Sequence, residues 1–327
     1  MGFLYSQFFA RLPYPTGKPH VGKTVIITGG NSGLGKEAAR HFARTGASTI
    51  ILAVRTIDKG NAAKRDIEST TKISPDVIQV WKLDMASYAS VQAFAEQVNK
   101  ELDRVDIFLA NAGVAPSEFR LTLEGEEENI GINVTSTFLL AALVLPKLKT
   151  SAATGKSQPT LTIVSSEVHG HTTFPQKSAP EGEIFNTLND KTTAEKYWAE
   201  QYPVSKLLEV LAVRAIAEQH PMLDYPVTIN CVNPGLCHSE LGREVDSWSF
   251  WLLKLLLART TEVGSRTLYH AASQFGKEWH GKYLSDCAVA EPAALVTSEE
   301  GKVAQERVWG ELVDRLERIR PGVTRSF

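Results

Sequence analysis

The feature that most constrains the fold is a repeated alternation of short apolar runs with stretches of helical period. From Lys23 onward the apolar runs are five to seven residues long and rich in β-branched side chains. Runs of this kind, separated by helical stretches, are typical of βαβ units, in which helices cover both faces of a parallel sheet. The predicted strands are 24–28, 48–54, 77–83, 105–110, 160–165 and 227–232.

The periodic helical stretches between these runs complete the predicted architecture. Helices are expected at 35–45, 87–102, 139–149 and 204–219, with a closing helix at 302–319. Two segments look irregular: 170–193, which is rich in Pro, Gly and Thr, and the stretch after Asp286. With no repeat or low-complexity linker, we predict one α/β domain, 23–327, that contains a single doubly wound parallel sheet with flanking helices. We expect an N-terminal arm at 1–22, an insertion at about 170–195 and a small lid near the C-terminus at about 240–258.

A glycine-rich turn, TGGNSGLG at 28–35, joins the first predicted strand directly to a helix. Glycines there let the backbone approach a pyrophosphate, which then sits on the helix N-terminus. Glycines alone often mark only a tight loop, but the strand, turn and helix context favours a dinucleotide site. The residues assigned to it are Gly29, Asn31, Ser32, Gly33, Leu34 and Gly35.

The spacing of this turn resembles the TGxxxGxG fingerprint of the short-chain dehydrogenase/reductase family. It differs from the turn of the extended, epimerase-type branch. The resemblance implies a Rossmann-type domain that binds a nicotinamide dinucleotide and interconverts a carbonyl and an alcohol. Further motifs follow in the family's order as far as about residue 285.

The end of the second strand favours NADP(H) over NAD(H). An NAD site places an acid about 20 residues past the turn, where it binds the ribose 2′-hydroxyl. This sequence has Arg55 there, and Lys59 lies one turn further on. A guanidinium would pair with a 2′-phosphate, although an Arg at a strand end can also be simply solvated. Asp58, the nearest acid, is displaced by three positions.

Two further segments match cofactor-binding positions of the family. Asp84, after the third strand, corresponds to the residue that binds the adenine, and it could also be the N-cap of the next helix. Asn111, Ala112 and Gly113 form the NAG motif that lines the cofactor cleft after the fourth strand.

Tyr202 and Lys206 form the YxxxK pair expected of the catalytic site. Four residues apart on a helix, they share one face at about 6 Å between Cβ atoms. A free phenol is a poor base at neutral pH, and a nearby ammonium lowers its pKa. Pro203 is expected in the first helical turn. Tyr14 and Lys18 have the same spacing but precede the first strand, so position along the chain favours Tyr202.

Ser166 and Asn133 complete the family's tetrad. Ser166 ends the fifth strand, where its hydroxyl can hydrogen-bond a substrate carbonyl; Ser165 is the alternative, and either could instead cap the following loop. The resemblance implies that Asn133 maintains a proton relay to Lys206, although a lone Asn in a helix also suggests a kink. Hydride would pass between nicotinamide C4 and the carbonyl carbon, with Tyr202 exchanging the proton and Lys206 binding the ribose.

The PG motif after the sixth strand supplies the last cofactor contacts. Pro234 and Gly235 match it, and Ser239 stands where the family often has the Thr that contacts the nicotinamide carboxamide. Ser166 and Tyr202 are 36 residues apart, and with His169 this resembles the retinol dehydrogenase branch and related fungal and plant reductases. His169 is expected to fix the inserted loop rather than to touch substrate.

Composition excludes other functional classes. The net charge of −2 gives no field that would attract nucleic acid or an anionic membrane. Three cysteines without metal-ligand spacing predict neither disulfides nor a metal site and favour the cytoplasm. Residues 1–10 lack a basic start; Met1-Gly2 with Ser6 matches a myristoylation pattern, but a packed surface arm is favoured.

The second apolar run, 248–258, is too short to span a bilayer. We interpret it as a lid over an apolar, bulky substrate such as a polyketide, terpenoid, steroid or retinoid-like carbonyl. Peripheral membrane contact is the second interpretation. A monomer and a homodimer both remain open. The alternatives to a carbonyl reductase are an enzyme of this fold with non-redox biosynthetic chemistry and a catalytically silent NADP-binding protein.

Overall fold

The central sheet of this computed structural model is mostly parallel and has the strand order 3-2-1-4-5-6-7-8. The structure describes residues 3–155, 158–221, 225–238, 241 and 255–327. Only the last strand is antiparallel among the strands described. The strands are β1 Thr24–Thr28, β2 Thr49–Val54, β3 Ile78–Lys82, β4 Ile107–Ala110, β5 Thr160–Val164, β6 Thr228–Asn233, β7 Tyr283–Ser285 and β8 Ala288–Val289. This sheet confirms the predicted Rossmann-type α/β fold.

Helices lie between the strands in the expected order. After a short N-terminal helix, α1 Phe3–Phe9, the longer ones cover the sheet. Their bounds are α2 Gly33–Arg44, α3 Ile57–Thr71, α4 Tyr88–Glu101, α5 Thr137–Ala153, α6 Ile184–Asn189, α7 Lys191–Lys196, α8 Trp198–Gln219, α9 Thr261–Ser273, α10 Ala294–Thr297 and α11 Glu299–Ile319.

Successive strand residues alternate between two hydrophobic clusters, one on each side of the sheet. In β1, Val25 and Ile27 belong to one cluster and Ile26 belongs to the other, and all three are fully buried. Side chains of a strand point alternately to the two faces, so both faces are covered. This explains why these strands read as continuous apolar runs rather than as an alternation of apolar and polar residues.

The helical segment Asn129–Ala153 is long and apolar enough to cross a membrane, but 89% of its most apolar window is buried inside the protein. It is therefore a core helix. Its first part, Asn129–Ser136, is π-helical, and α5 continues directly from it. The predicted helix at 139–149 is confirmed and extends further at both ends.

The inserted segment was predicted to be irregular, and that prediction was wrong for its second half. Two 3-10 turns, at Glu167–Gly170 and Pro175–Ser178, come first, and α6 and α7 follow them. Ile184, Phe185 and Leu188 bury one face of α6, and the Asp190 carboxylate caps α7 by accepting from the Thr193 N–H at 2.8 Å. Helices α6 and α7 have six residues each, which is too few to produce a clear helical period. The Pro and Thr content of the whole segment therefore determined the prediction.

Two other boundaries also differ from expectation. Helix α8 begins at Trp198, six residues before the predicted start at 204, so Pro203 lies inside it rather than in the first turn. Strands β7 and β8, of three and two residues, were not predicted because runs so short carry no periodic signal.

The N-terminal segment packs near the loop that follows β6. The Gln7 amide donates to the backbone carbonyls of Leu236 and Leu257, at 2.9 and 3.0 Å. Further along the arm, Leu12 is buried and its carbonyl accepts from Arg266. Most of the predicted lid at 240–258 lies outside the described residues. Of its described part, Leu255 and Leu256 are exposed.

Candidate active site

The glycine-rich turn is shaped for close backbone approach. Gly29 and Gly33 have φ of +67° and +53°, which glycine adopts without strain. A Cβ on Gly35 would lie 2.5 Å from Asn111 Nδ2 and 2.7 Å from the Gly29 carbonyl oxygen. Ser32 is the N-cap of α2, but its side chain makes no capping hydrogen bond. The first backbone N–H groups of α2 therefore receive no hydrogen bond from the Ser32 side chain, and a helix N-terminus of this kind can accept an anion.

The NAG segment forms the opposite wall of this turn. Thr28 Oγ1 accepts from the backbone N–H groups of Asn111 and Ala112 at 2.9 and 2.8 Å, and Asn111 Nδ2 donates to the Thr28 carbonyl at 2.8 Å. Leu34, Ala112 and Gly113 are partly exposed beside it. The structure thus brings together the phosphate turn and the NAG motif, which are separated by about 80 residues in sequence.

Arg55 lies at the predicted end of β2, next to the turn. The Gly29 N–H donates to the Ala53 carbonyl at 2.8 Å, which fixes the turn against this strand end. The side chains of Arg55 and Lys59 are exposed, and neither has an ion-pair partner among the described residues. Two uncommitted cations at this place fit a 2′-phosphate.

Asp84 is partly exposed at the end of β3, but it does not cap the next helix. Ser87 is the N-cap of α4 and accepts from the Ser90 N–H. The Asp84 carboxylate instead accepts from the Ala86 N–H at 3.1 Å, in the turn before the helix. The capping alternative is therefore wrong, because the helix begins three residues later than that alternative required.

Ser166, Tyr202 and Lys206 come together beyond the carboxyl end of β5. Tyr202 and Lys206 lie one helical turn apart in α8, with the Lys206 Nζ 5.7 Å from the centre of the Tyr202 ring. The Ser166 hydroxyl lies near enough to the Tyr202 phenol to lower the phenol's pKa. Lys206 is buried, and its Nζ donates to the Val164 carbonyl at 3.0 Å.

The two candidate serines have different surroundings. Ser165 is buried and its hydroxyl donates to the Lys206 carbonyl at 2.9 Å, so it braces α8 against the sheet. Ser166 is partly exposed, and its Oγ also accepts from the Val168 N–H at 3.3 Å. Ser166 therefore both caps the following turn and reaches the phenol, which favours it over Ser165.

Burial raises the pKa of the Tyr202 phenol, while the charge of Lys206 lowers it. Burial alone would lower the pKa of Lys206, but the neighbouring Glu209 carboxylate and the Tyr202 phenolate together outweigh it, and the net shift is upward. Lys206 is therefore held as an ammonium, the form that can stabilise a phenolate.

Asn133 lies in the π-helical stretch and is fully buried. Its Oδ1 accepts from the Val114 N–H at 2.8 Å, and its Nδ2 donates to the Val114 carbonyl and to Ser205 Oγ, each at 3.0 Å. The side chain thus ties the NAG loop to α8 next to Lys206. A π-helical turn at this position agrees with the kink that a buried Asn suggested.

The other YxxxK segment has no comparable setting. Tyr14 is 45% exposed, and the chain from Tyr14 to Lys18 is not helical. Lys18 Nζ donates to the Arg44 carbonyl, and the Tyr14 ring packs under the guanidinium groups of Arg44 and Arg266. This pair has no counterpart of Ser166 beside it.

The PG loop after β6 is ordered by neighbours that the sequence did not reveal. Gly235 has φ of +75°, and its N–H donates to Asn233 Oδ1 at 3.0 Å. A Cβ on Gly235 would lie 2.7 Å from Gln7 Oε1 and 2.9 Å from Arg259 Nη1. Pro234 precedes it as predicted, whereas Ser239 lies outside the described residues.

His169 joins the turn that follows β5 to the chain at Ala293. It is buried, its Nδ1 bonds the Ser166 carbonyl at 2.7 Å, and its Nε2 accepts from the Ala293 N–H at 2.9 Å. These two bonds require the neutral ring with its proton on Nδ1. Burial lowers the pKa of His169, which favours the same form.

Sequence reasoning missed Glu209, whose carboxylate lies 2.8 Å from Lys206 Nζ. Asn233, Arg259 and Gln7, which shape the PG loop, were also missed. A signal for Glu209 existed: it is a lone acid in the apolar run of α8, three residues after the catalytic lysine. Gln7 and Arg259 act across long sequence separations and had no local signal, whereas Asn233 lies only two residues before Gly235.

The chain belongs to the short-chain dehydrogenase/reductase family. The sequence profile of the family described as short chain dehydrogenase matches residues 23–179. A short chain dehydrogenase/reductase of Cryptosporiopsis sp. is 66% identical over the full length of both chains. A short-chain dehydrogenase of Penicillium roqueforti is 42% identical over 99% of this chain and 84% of its own length. The protein is accordingly an oxidoreductase with a fold that binds a nicotinamide dinucleotide.

Solved structures share the fold at low sequence identity. A 3-ketoacyl-(acyl-carrier-protein) reductase from Brucella melitensis, complexed with NADH, matches with a TM-score of 0.60 and 20% identity, over 81% of this chain and 96% of its own. A short chain dehydrogenase from Shigella flexneri, complexed with NADP, matches with a TM-score of 0.57 and 20% identity, over 83% and 99%. At such identities the likeness establishes the fold and leaves the choice of cofactor open.

Proposed function

We propose that this protein is an NADP(H)-dependent reductase that interconverts a carbonyl and an alcohol on an apolar small molecule. The observation that carries the proposal is the meeting of Ser166, Tyr202 and Lys206 at the carboxyl end of β5. Open α/β sheets bind their ligands at this edge. Tyr202 acts as proton donor and acceptor, and the charge of Lys206 keeps the pKa of the Tyr202 phenol from rising further.

The other roles follow from the surroundings of each residue. The Ser166 hydroxyl, next to the phenol, is placed to hold a substrate oxygen as charge develops on it. Lys206 would bind the nicotinamide ribose. Asn133 holds the NAG loop against α8, so that the lysine and the cleft keep their relative positions. When bound, the nicotinamide cofactor supplies or accepts the hydride.

The residues present fit this cofactor. Gly29, Gly33 and Gly35 form a turn that a Cβ would fill, and the N-terminus of α2 is free of a side-chain cap. Arg55 and Lys59 are exposed and uncommitted, which supports NADP(H) over NAD(H). Asp84, Ala112, Pro234 and Ser239 are assigned to the same site by their match to the family's motifs.

The substrate class rests on less specific features. The apolar run at 248–258 and the exposed Leu255 and Leu256 at its end support a bulky apolar carbonyl compound. Cys231, Cys237 and Cys287 are buried or partly buried and form no disulfide with one another, which supports a cytoplasmic location. Membership of the retinol dehydrogenase-like branch stays a prediction, as does the choice between monomer and homodimer.

The test is a fluorescence titration of the purified protein with NADPH and with NADH, followed by assays on a panel of apolar ketones and aldehydes. We expect NADPH to bind at least tenfold more tightly and to be consumed one-for-one with a carbonyl. Equal affinity for both cofactors would overturn the NADP(H) assignment. Product formation without change in NADPH would instead indicate non-redox chemistry.

A further inference from the structure

Lys206 shares its buried position with a carboxylate that the reaction described above does not use. Glu209 Oε1 lies 2.8 Å from Lys206 Nζ, and the two side chains are only 2% and 5% exposed. The residues around them in α8, Leu207, Leu208 and Val210, are fully buried and apolar. Two charges removed from water in such surroundings carry a large desolvation cost.

The hydrogen bonds of the ammonium show how it is fixed. Lys206 Nζ has three donors, of which one goes to Glu209 Oε1 and one to the Val164 carbonyl at 3.0 Å. No third acceptor is present among the described residues. The Nζ lies 3.6 Å from the place where a Cβ on Gly113 would stand, so it borders the NAG wall of the cleft. Glu209 and Val164 thus fix the Lys206 ammonium through two of its N–H groups, and the third N–H can donate to a ligand.

The pair is poorly explained as a device for stability. Glu209 Oε2 is buried and has no hydrogen-bond partner among the described residues. An unsatisfied buried oxygen costs free energy, and well-packed apolar side chains often stabilise a core as well as a buried ion pair does. What an apolar residue cannot do is place negative charge beside Lys206.

The titratable and polar groups near Glu209 lie on its own helix and on the neighbouring strands. Burial raises the pKa of Glu209 to about 7, and Lys206 acts against this rise. Glu209 in turn raises the pKa of Tyr202, in addition to the larger effect of burial. On β6, burial and the charge of Glu209 raise the pKa of the Cys231 thiol. The hydroxyl of Ser165 is the other polar neighbour.

We propose that Glu209 is a positioning residue for the reaction proposed above: its carboxylate holds the Lys206 ammonium at the floor of the cleft and offsets part of that charge at the Tyr202 oxygen. The arrangement makes the catalytic helix carry its own counter-charge. It sets the pH at which Tyr202 changes between phenol and phenolate, without contact between Glu209 and substrate.

Glu209→Gln tests this because it keeps the shape and the acceptor of the Glu209 side chain while removing its charge. The phenolate also favours the charged form of Lys206, so the ammonium persists without the carboxylate. Lys206 then acts on Tyr202 uncompensated, and the phenol should ionise at a pH lower by about one unit. Glu218→Gln is the matched control. It makes the same change in the same helix, at a carboxylate that pairs with Arg214 and is 55% exposed.

The primary readout needs no substrate. The ultraviolet absorbance of phenolate is titrated in the full chain, in Glu209→Gln and in Glu218→Gln, each minus its counterpart that also carries Tyr202→Phe. A lower midpoint in Glu209→Gln alone supports the proposal. An unchanged or higher midpoint, or an equal shift in Glu218→Gln, overturns it.

Folding and function are separated by two additions. If circular dichroism indicates that Glu209→Gln is unfolded, Glu209→Leu is titrated instead, since an apolar residue suits the packing, and the same downward shift is expected. The pH profile of 1-tetralol oxidation with NADP⁺ is measured in parallel, and both of its limbs should move to lower pH in Glu209→Gln. Absence of oxidation in the unmodified protein would count against the proposed function, whereas the phenolate titration would still decide the role of Glu209.

Discussion

The phosphate turn and the catalytic cluster lie at the same edge of the sheet but are built differently. The turn depends on backbone hydrogen bonds and on glycines that have no side chain. The Gly29 N–H donates to the Ala53 carbonyl, and the absence of a Cβ on Gly35 leaves room for Asn111. The catalytic cluster is held by side chains that span long stretches of chain. His169, for example, joins the Ser166 turn to Ala293, which lies 124 residues further on.

The difference separates two kinds of dependence. In the turn, the backbone must come close to the ligand, so a substitution that adds side-chain atoms should weaken binding. In the cluster, particular hydroxyl, phenol and ammonium groups act, so a substitution that removes one of these groups should lower the rate. Changes in the turn should therefore alter cofactor affinity, and changes in the cluster should alter turnover. The following experiments test that separation.

The largest effect is expected from Tyr202→Phe. Loss of the phenolic proton should lower kcat by roughly a hundred- to ten-thousand-fold while NADPH affinity stays within about twofold. Steady-state kinetics and a fluorescence titration measure the two quantities. Tyr14→Phe, in the other YxxxK segment, should change neither. Retained turnover in Tyr202→Phe would refute its role as proton donor.

Gly35→Ala should act in the opposite way. The new methyl group meets Asn111 Nδ2 and the Gly29 carbonyl, so the turn must deform, and NADPH affinity should fall roughly ten- to hundredfold. Gly310→Ala is the control, since nothing lies within 4 Å of its Cβ position in α11. That change should stabilise the helix by about 0.5–1 kcal/mol in urea unfolding. Normal affinity in Gly35→Ala would mean that the turn does not approach the cofactor.

Arg55→Asp sharpens the assignment of the cofactor. Removing a guanidinium that pairs with the 2′-phosphate, and adding an acid that suits a 2′-hydroxyl, should shift the NADPH/NADH affinity ratio toward NADH by roughly ten- to a hundredfold. Arg65→Asp, about two turns further along α3 and equally exposed, makes the same charge change. A ratio that responds equally to both variants would reject the assignment to Arg55.

The smallest effect concerns His169 and the stability of its loop. Burial lowers the pKa of His169, so the folded protein resists protonation while the unfolded chain accepts it. Its contribution to the free energy of unfolding is thus present above the unfolded pKa of about 6.5 and is lost as pH falls. His169→Asn should reduce the loss of stability between about pH 7.5 and about pH 5 by on the order of 1 kcal/mol or less. Urea unfolding measures it, and the same change at the exposed His171 should have no such effect.

The same contrast explains how much could be predicted from the sequence. Six strands, the main helices and the phosphate turn have local signals, namely apolar runs and glycine spacing, and the structure contains them within a few residues. Tyr202 was separated from Tyr14 by its place in the order of motifs. Glu209 and the contacts of the PG loop depend on tertiary packing. The short α6 and α7 were missed because two turns of helix give too few residues for a period, and the Pro, Gly and Thr of the surrounding segment indicated a loop.

The docking of the N-terminal arm has a consequence for how the protein is made. The Ser6 hydroxyl donates to Asp286 at 2.5 Å, and the Ser6 carbonyl accepts from Arg259, which itself pairs with Asp286. During translation Asp286 joins the growing chain 280 positions after Ser6. At ordinary elongation rates this delay is on the order of tens of seconds. The exposed aromatic rings of Phe8 and Phe9 therefore stay next to a growing chain until Arg259 and Asp286 have been made.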